Sequence, residues 1–219
     1  MIAARDMTNG TGLVARATCA AAAVALAVII GCVAFAGFPS TAWAVTDGWT
    51  VTFTGSSMTS DGTADIIREY TERYPHIIKP ILREENQYSK GISNISIFNF
   101  PRARGTYIAM CEGDDYWTDP HKLQKQVDYL KEHPHCSLCF HSAKIISVDG
   151  SKTEGLMRPY GESRRVEPEE IVDKTSGYPT ASLVFPAWIV KKLPDYYLDC
   201  PVGDIPMQLM MASVGDAFY

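Results

Sequence analysis

The sequence is short of basic residues, and that shortage excludes one class of protein. Its 219 residues contain 20 Lys or Arg against 25 Asp or Glu, a formal net charge of −5. A nucleic-acid-binding protein normally presents a basic face. The largest basic clusters here are the pairs Arg164-Arg165 and Lys191-Lys192. We therefore predict no nucleic-acid partner.

Cysteines are also few, and they follow no regular spacing. Of the six, two fall within the apolar N-terminal run, which leaves four for a folded domain. A small disulfide-stabilised fold needs a denser framework than this. We expect the cysteines to be reduced.

Charge is absent from residues 17–38, a run long enough to cross a bilayer at about 20 residues per span. Arg5 and Arg16 precede it, and Ala42-Trp43-Ala44 matches the small-x-small pattern of a signal peptidase site. We predict a signal peptide or transmembrane anchor over residues 1–44 and a separate domain over 45–219. The alternative is a buried, alanine-rich helix. By the positive-inside rule the domain would be exported.

From Val51 onward the pattern is that of a mixed α/β protein. Apolar runs bounded by turn residues predict strands, and apolar residues at helical spacing predict helices within 56–75 and after Pro120. The predicted strands are 51–54, 77–84, 107–111, 136–148 and 181–185. Alternating strands and helices predict a largely parallel sheet flanked by helices.

One of these strands ends in a cluster of carboxylates, in the segment IAMCEGDDYW (108–117). Parallel sheets bind ligands at the carboxyl ends of their strands. Glu112, Asp114 and Asp115 would therefore lie at the active edge, and such hard oxygen ligands suit Mg²⁺ or Mn²⁺ shared with a diphosphate. The alternative is an acidic turn that only caps the next helix.

The segment ARGTYIAMCEGDDYWTDPHKLQKQVDYLKEHP (103–134) resembles the family 2 glycosyltransferases around their Asp-x-Asp region. SDGTADIIREY (60–70) and REENQYSKG (83–91) are similar to two further segments of that family. The resemblance implies a nucleotide-sugar-dependent enzyme with the Rossmann-like GT-A fold, a mixed and mostly parallel sheet behind the N-terminal hydrophobic helix. It also implies an incomplete domain that lacks the first strand and stops within the acceptor region.

The resemblance assigns roles to individual residues. Glu112 and Asp114 would hold Mn²⁺ or Mg²⁺, and Asp115 would orient the sugar or complete the metal's coordination. In the inverting members of the family a later carboxylate deprotonates the acceptor. Asp204, in CPVGDIPMQLMM (200–211), matches that general base, and an ordinary helix cap is the alternative. Further donor-binding positions are Ser57, Asp61 and Asn86.

The implied partners are a nucleoside-diphosphate sugar, a saccharide or lipid-linked acceptor, and a membrane through the N-terminal segment. Nucleotide-sugar chemistry belongs to the cytoplasm, whereas the N-terminal segment predicts export. An inactive exported or membrane-anchored remnant of the fold is the main alternative. Trp117 and Trp188 are candidates for stacking on a sugar ring or for core packing.

A zinc-binding module is a weaker alternative. It would use the histidines and cysteines crowded into nine residues, which are His133, His135, Cys136, Cys139 and His141. Strand alternation would place Cys136 on the face of Leu138, and Cys139 on the other face with His141.

Overall fold

The structure is a computed structural model that describes residues 2–4, 51–56, 63–83, 95–112, 115–147, 151–173, 178–200 and 203–219. Among these residues, no helix combines the length and apolar character needed to cross a membrane. The predicted apolar segment 17–38 and the Ala42-Trp43-Ala44 motif lie outside the described residues.

The first described elements form a parallel strand pair with a connecting helix. Strand β1 (Ile2–Ala4) precedes β2 (Val51–Ser56), helix α1 (Thr63–Arg73) and β3 (Ile78–Arg83). β2 and β3 pair in parallel from Val51 opposite Ile78 to Ser56 opposite Arg83. Tyr70 of α1 packs on Ile78, which buries the helix face that the apolar spacing predicts.

The rest of the described chain alternates short strands with helices. A π-helical turn (Ile95–Asn99) and the short helix α2 (Phe100–Arg102) lead into β4 (Tyr107–Ala109). The elements that follow are β5 (Asp115–Tyr116), α3 (Lys122–Glu132), β6 (Cys136–Cys139), β7 (Ala143–Ile146), β8 (Thr153–Met157), β9 (Arg165–Val166), α4 (Pro168–Asp173), a 3₁₀ turn (Thr180–Ser182), β10 (Val184–Pro186), a second 3₁₀ turn (Ala187–Val190), α5 (Asp195–Asp199), α6 (Asp204–Ala212) and β11 (Asp216–Phe218).

The main sheet has the strand order β4-β10-β6-β11-β9. A second sheet has the order β5-β1-β7-β8, and β2 and β3 make up a third. Helix α3 packs against β6 and β10, and α6 packs against β6 and β11. This arrangement confirms the predicted mixed α/β architecture with helices flanking a sheet, as in a GT-A domain.

The expectation of a mostly parallel sheet is wrong for the main sheet among the described residues. β10 runs antiparallel to both β4 and β6, and β9 runs antiparallel to β11, so only β6 and β11 pair in parallel. The reason is that β10 lies between β4 and β6 and runs in the direction opposite to both. Hydrophobic periodicity identifies a strand and carries no information on its direction.

The predicted strand over residues 136–148 is two strands in the structure. β6 ends at Cys139 and β7 begins at Ala143 in a different sheet. The predicted strand over 181–185 begins only at Val184, because a 3₁₀ turn occupies Thr180–Ser182. Both differences lie at strand ends that carry site residues.

The core lies mainly on the α6 side of the main sheet. Leu138, Phe185 and Met211 are fully buried there, in a cluster that also contains the aromatic rings of Phe140 and Tyr178. Gly215, in the turn between α6 and β11, is required by close packing. A Cβ at this position would fall on the backbone carbonyl oxygen of His135.

The four cysteines of the described chain, Cys111, Cys136, Cys139 and Cys200, carry reduced thiols, as predicted. The predicted split of Cys136 and Cys139 between two faces is wrong. Both side chains pack in a hydrophobic cluster with Val127 and Leu130 of α3. The pairing of β6 with β11 shifts register between Asp216 and Ala217, and this irregularity interrupts the alternation of faces along β6.

Candidate active site

The strand directions bring the ends of three strands to one edge of the main sheet. β4 and β6 are both antiparallel to β10, so they run parallel to each other, and β11 is parallel to β6. The carboxyl ends of β4, β6 and β11 therefore share an edge, which we call the active edge. In open α/β sheets this is the edge where ligands bind.

Glu112 and Asp115 follow β4 at the active edge. Glu112 is exposed, whereas the Asp115 side chain is buried with only 4% exposure. The Asp115 backbone N–H donates to the Glu112 carbonyl oxygen at 3.2 Å, and the Cys111 thiol donates to the Asp115 carbonyl oxygen at 3.6 Å. These bonds fix the backbone on both sides of residues 113–114, which lie outside the described residues.

Asp204 is the first residue of α6, and this helix begins at the active edge. The helix returns to the main sheet through the turn 213–215 and therefore runs antiparallel to β11. Near the opposite edge, the Ser137 hydroxyl donates to the Met211 carbonyl oxygen at 2.8 Å, which holds the end of α6 against the start of β6. The first turn of α6 consequently lies on the side of Glu112 and Asp115.

Hydrogen bonds connect Asp204 to the segment after β4. The Thr180 hydroxyl donates to Asp204 Oδ2 at 3.4 Å, and the next residue, Ala181, accepts a 2.7 Å bond from Trp117 Nε1. Trp117 lies two residues after Asp115. The proposed base and the proposed donor-binding carboxylate are therefore joined through two hydrogen bonds and a short length of backbone.

The buried side-chain amide of Gln126 supports the same turn. Gln126 of α3 donates through Nε2 to the carbonyl oxygens of Cys139, at 3.1 Å, and Ser182, at 3.0 Å. The turn Thr180–Ser182 is thus held both to the end of β6 and to α3. A rigid support of this kind fixes the position of a reacting group.

Tyr197 lies beside Asp204 in the described structure. Burial raises the pKa of the Tyr197 hydroxyl, a hydrogen bond with Ser96 opposes that change, and the negative charge of Asp204 adds to the rise. The hydroxyl therefore stays protonated at neutral pH and can donate a hydrogen bond near the carboxylate.

Two buried nitrogen atoms at the active edge lack a hydrogen-bond partner in the part of the chain that the structure describes. Lys122 Nζ lies 4.1 Å from the centre of the Trp117 ring, and burial lowers the pKa of this amine to about 7. His141 Nε2 is the second atom. Burial, together with the charge of Lys122, lowers the pKa of this imidazole to about 4.

The predicted site residues divide into two groups. Glu112, Asp115 and Asp204 lie at the active edge, whereas the other predicted positions fall outside the described residues: Ser57, Asp61, Asn86 and Asp114. Sequence reasoning missed the supporting roles of Thr180 and Gln126. Their partners lie far away in the chain, so no local pattern could have identified them.

The tryptophan and zinc candidates can also be compared with the structure. Trp117 is a core residue with 5% exposure, and Trp188 is 62% exposed. The described residues contain no group of three His, Cys, Asp or Glu side chains placed to hold a metal ion. Burial raises the pKa of the Cys136 thiol to about 12 and that of Cys139 to about 11, so both are uncharged thiols at neutral pH.

The mixed sheet flanked by helices has the architecture of a GT-A domain. Residues 55–183 match the family model described as Glycosyl transferase family 2. The match covers more than half of the chain, which therefore belongs to the Glycosyl transferase family 2.

Several curated proteins are similar to parts of this chain. An uncharacterized protein of Mycobacterium tuberculosis is 50% identical over 93 residues, which are 42% of this chain and 26% of that protein. A Bacillus subtilis protein named as a teichuronic acid biosynthesis glycosyltransferase, TuaG, is 32% identical over 92 residues, 42% of this chain and 34% of TuaG. An uncharacterized glycosyltransferase of Nostoc is 31% identical over 100 residues, 44% of this chain and 30% of the relative. The matched parts span about a quarter to a third of these relatives' lengths.

Proposed function

We propose that this chain transfers a sugar from a nucleoside-diphosphate sugar to an acceptor hydroxyl, with inversion at the anomeric carbon and with Mn²⁺ or Mg²⁺ bound. The observation that carries the proposal is the placement of Asp204 at the same sheet edge as Glu112 and Asp115, through the bonds of Thr180 and Trp117. Membership of the family supports glycosyl transfer in general. The relative named for teichuronic acid biosynthesis supports a saccharide acceptor.

The donor end of the site uses the carboxylates that follow β4. Glu112 is exposed at the end of this strand and Asp115 is buried beside it, so the edge offers hard oxygen donors of the kind that fit Mg²⁺ or Mn²⁺. In the proposal Glu112 and Asp114 hold the ion, and Asp115 orients the donor sugar. The bound ion would supply Lewis-acid neutralisation of the leaving diphosphate. Ser57, Asp61 and Asn86 would contact the nucleotide.

The acceptor end uses Asp204 as the general base. Thr180 donates to Oδ2 of this carboxylate, which leaves Oδ1 to accept the proton of the acceptor hydroxyl. The acceptor oxygen then forms its bond to the anomeric carbon on the face opposite the leaving group. The bond from that carbon to the diphosphate oxygen breaks, and the nucleoside diphosphate leaves with the bonding electrons.

The membrane association and the location of this chain are also proposals. We propose that residues 1–44 form a signal peptide or a membrane anchor and that residues 45–219 belong to the GT-A domain. Because nucleotide sugars are cytosolic, transfer requires the active edge to face the cytoplasm. The positive-inside rule instead predicts export, and an exported domain would be the inactive remnant named above as the main alternative.

The experiment compares carboxylate variants with one matched control. Binding of UDP and GDP in the presence of Mn²⁺ is measured by calorimetry for the unmodified chain, Asp114→Ala, Asp115→Asn and the control Asp128→Asn, which alters an exposed carboxylate on α3. We expect Asp114→Ala to lose binding and the control to keep it. Asp115→Asn should lose binding if Asp115 completes the coordination of the metal, and should keep it if Asp115 only orients the sugar, which UDP and GDP lack. Equal binding by Asp114→Ala and the unmodified chain would contradict the proposed donor site.

The base is tested separately, because Asp204 is proposed to act only on the acceptor. Asp204→Asn should bind UDP or GDP as the unmodified chain does and should lose nearly all transfer of sugar from the corresponding sugar nucleotide. Removal of a general base costs roughly 10²–10⁴-fold in rate. Normal transfer by Asp204→Asn would refute this assignment while leaving the donor site intact.

A further inference from the structure

We propose that the surface around Trp188 contacts an anionic phospholipid bilayer. We call it the Trp188 surface, and it consists of Trp188 and three exposed cationic residues, Arg104, Lys191 and Lys192. This contact is separate from the proposed transfer reaction and from any membrane segment within residues 1–44.

Unpaired positive charge distinguishes the Trp188 surface in a chain whose formal net charge is −5. Of the two basic pairs in the sequence, Arg164-Arg165 forms ion pairs with three carboxylates. Neither Lys191-Lys192 nor Arg104 forms an ion pair with a described residue. Asp195 is the only carboxylate within six residues of any of these three cations. The surface therefore has a local excess of positive charge that an anionic partner can neutralise.

Hydrogen bonds join the two chain segments that form the Trp188 surface. The Ala187 backbone N–H donates to the Thr106 carbonyl oxygen at 2.8 Å, and Lys191 Nζ donates to the Ala103 carbonyl oxygen. In the sequence, the two acceptors lie on either side of the arginine of this surface, and the two donors lie on either side of its tryptophan. The cations and the indole ring are thus carried by adjacent segments.

The second 3₁₀ turn presents the tryptophan to solvent. Ala187, Ile189 and Val190 of this turn are buried, whereas Trp188 is 62% exposed. A single exposed apolar side chain is common on soluble proteins. The neighbouring unpaired cations are what indicate a bilayer, because Trp rings favour the headgroup region and Lys and Arg are attracted to anionic lipids.

The Trp188 surface lies at the edge of the main sheet opposite to the active edge. β10 ends at Pro186, which pairs with Tyr107, the first residue of β4. Trp188 follows β10 by two residues and Arg104 precedes β4 by three, whereas the active edge holds the carboxyl end of β4. A bilayer that contacts this surface leaves the active edge in water, where a soluble donor can reach it.

The test uses the full 219-residue chain with vesicles of phosphatidylcholine alone or of equal parts phosphatidylcholine and phosphatidylglycerol. Each vesicle carries a nitroxide-labelled lipid, which quenches the fluorescence of a tryptophan that touches the bilayer. The signal of Trp188 is the difference between the unmodified chain and Trp188→Phe, so other tryptophans and the apolar residues 17–38 do not contribute. We expect quenching of Trp188 on the anionic vesicles and little on the neutral ones.

A charge variant with a matched control tests the role of the cations. Each Lys or Arg near an anionic bilayer strengthens binding about fivefold, so Arg104→Gln/Lys192→Gln should weaken the contact about thirtyfold and remove most of the quenching. The control, Lys144→Gln/Lys152→Gln, removes the same charge from exposed residues in β7 and in the turn before β8 and should keep the quenching. Trp188→Phe is made in each variant to isolate the signal.

The outcomes separate this surface from the proposed donor site. No quenching of Trp188 on anionic vesicles, equal quenching on neutral ones, or equal loss in the control would overturn the assignment, even if UDP or GDP still binds with Mn²⁺. Because the surface lies opposite to the active edge, Arg104→Gln/Lys192→Gln should bind nucleotide as the unmodified chain does. Lipid contact that depends on these cations, in a chain that binds neither nucleotide, would support the surface and refute the donor site.

Discussion

Replacing Lys122 by methionine should stabilise the folded chain, because this lysine is held in an unfavourable environment. Its side chain is 5% exposed, and its Nζ has no hydrogen-bond partner within the described structure. Burial lowers the pKa of the amine from its ordinary value of 10.5 to about 7, partly opposed by Cys111 and Cys139. Methionine has a similar length and no charge to desolvate.

The magnitude follows from the two pKa values. The difference between 10.5 and about 7, at about 1.4 kcal/mol per pH unit, gives about 5 kcal/mol. Below pH 7 the lysine is protonated in both states, so the folded chain carries the full cost of a buried ammonium. Between pH 7 and 10.5 the unfolded chain binds the extra proton, so stability rises with pH and the cost disappears. The lost contact between the cation and Trp117 offsets about 1–2 kcal/mol of the gain.

The assay is urea unfolding of the unmodified chain and Lys122→Met at pH 6, 8 and 10. We expect the variant to be more stable by about 3 kcal/mol at pH 6, with the difference fading toward pH 10. Lys125→Met, an exposed lysine on the same helix, is the control and should change stability by less than about 1 kcal/mol. Destabilisation of Lys122→Met at pH 6, or a difference that does not vary with pH, would refute the reasoning.

Three further predictions test the packing around the main sheet. Gly215→Ala should cost about 1–3 kcal/mol in urea unfolding, because its methyl group meets the His135 carbonyl oxygen, whereas Gly161→Ala, which faces open space, should cost little. Trp117→Phe should cost about 1–3 kcal/mol by leaving the Ala181 carbonyl oxygen without its donor; an effect no larger than that of Trp188→Phe would argue against this bond. Iodoacetamide at pH 8 should label Cys136 and Cys139 only after unfolding, since burial raises the pKa of both thiols. Rapid labelling of either thiol in the folded chain, mapped by mass spectrometry, would contradict the expected protection.

Elements that depend on local pattern were predicted well. Leu123, Val127 and Leu130 recur at helical spacing after Pro120, and α3 covers Lys122–Glu132 with Val127 and Leu130 buried. Strand direction and strand ends were predicted poorly, because they depend on which neighbours each strand meets. The antiparallel insertion of β10 and the break between β6 and β7 are of this kind.

In the candidate site, too, features with a local sequence pattern were predictable and features that depend on distant residues were not. A buried strand that ends in carboxylates has a local signature, and the structure indeed has Glu112 and Asp115 at the end of β4. The support around Asp204 has none, because Thr180 lies 24 residues from Asp204 and Trp117 lies 64 residues from Ala181. Only the folded chain joins these segments. The buried nitrogens of Lys122 and His141 likewise become recognisable only when their surroundings are known.

The central claim is that this chain binds a nucleoside-diphosphate sugar through a divalent metal at the active edge. Calorimetry of the full chain with UDP and with GDP, each with and without Mn²⁺, tests it most directly. The account predicts saturable binding of at least one of these nucleotides that requires Mn²⁺ and is lost on chelation. Failure of both nucleotides to bind in the presence of Mn²⁺ would contradict the account and favour an inactive remnant of the fold.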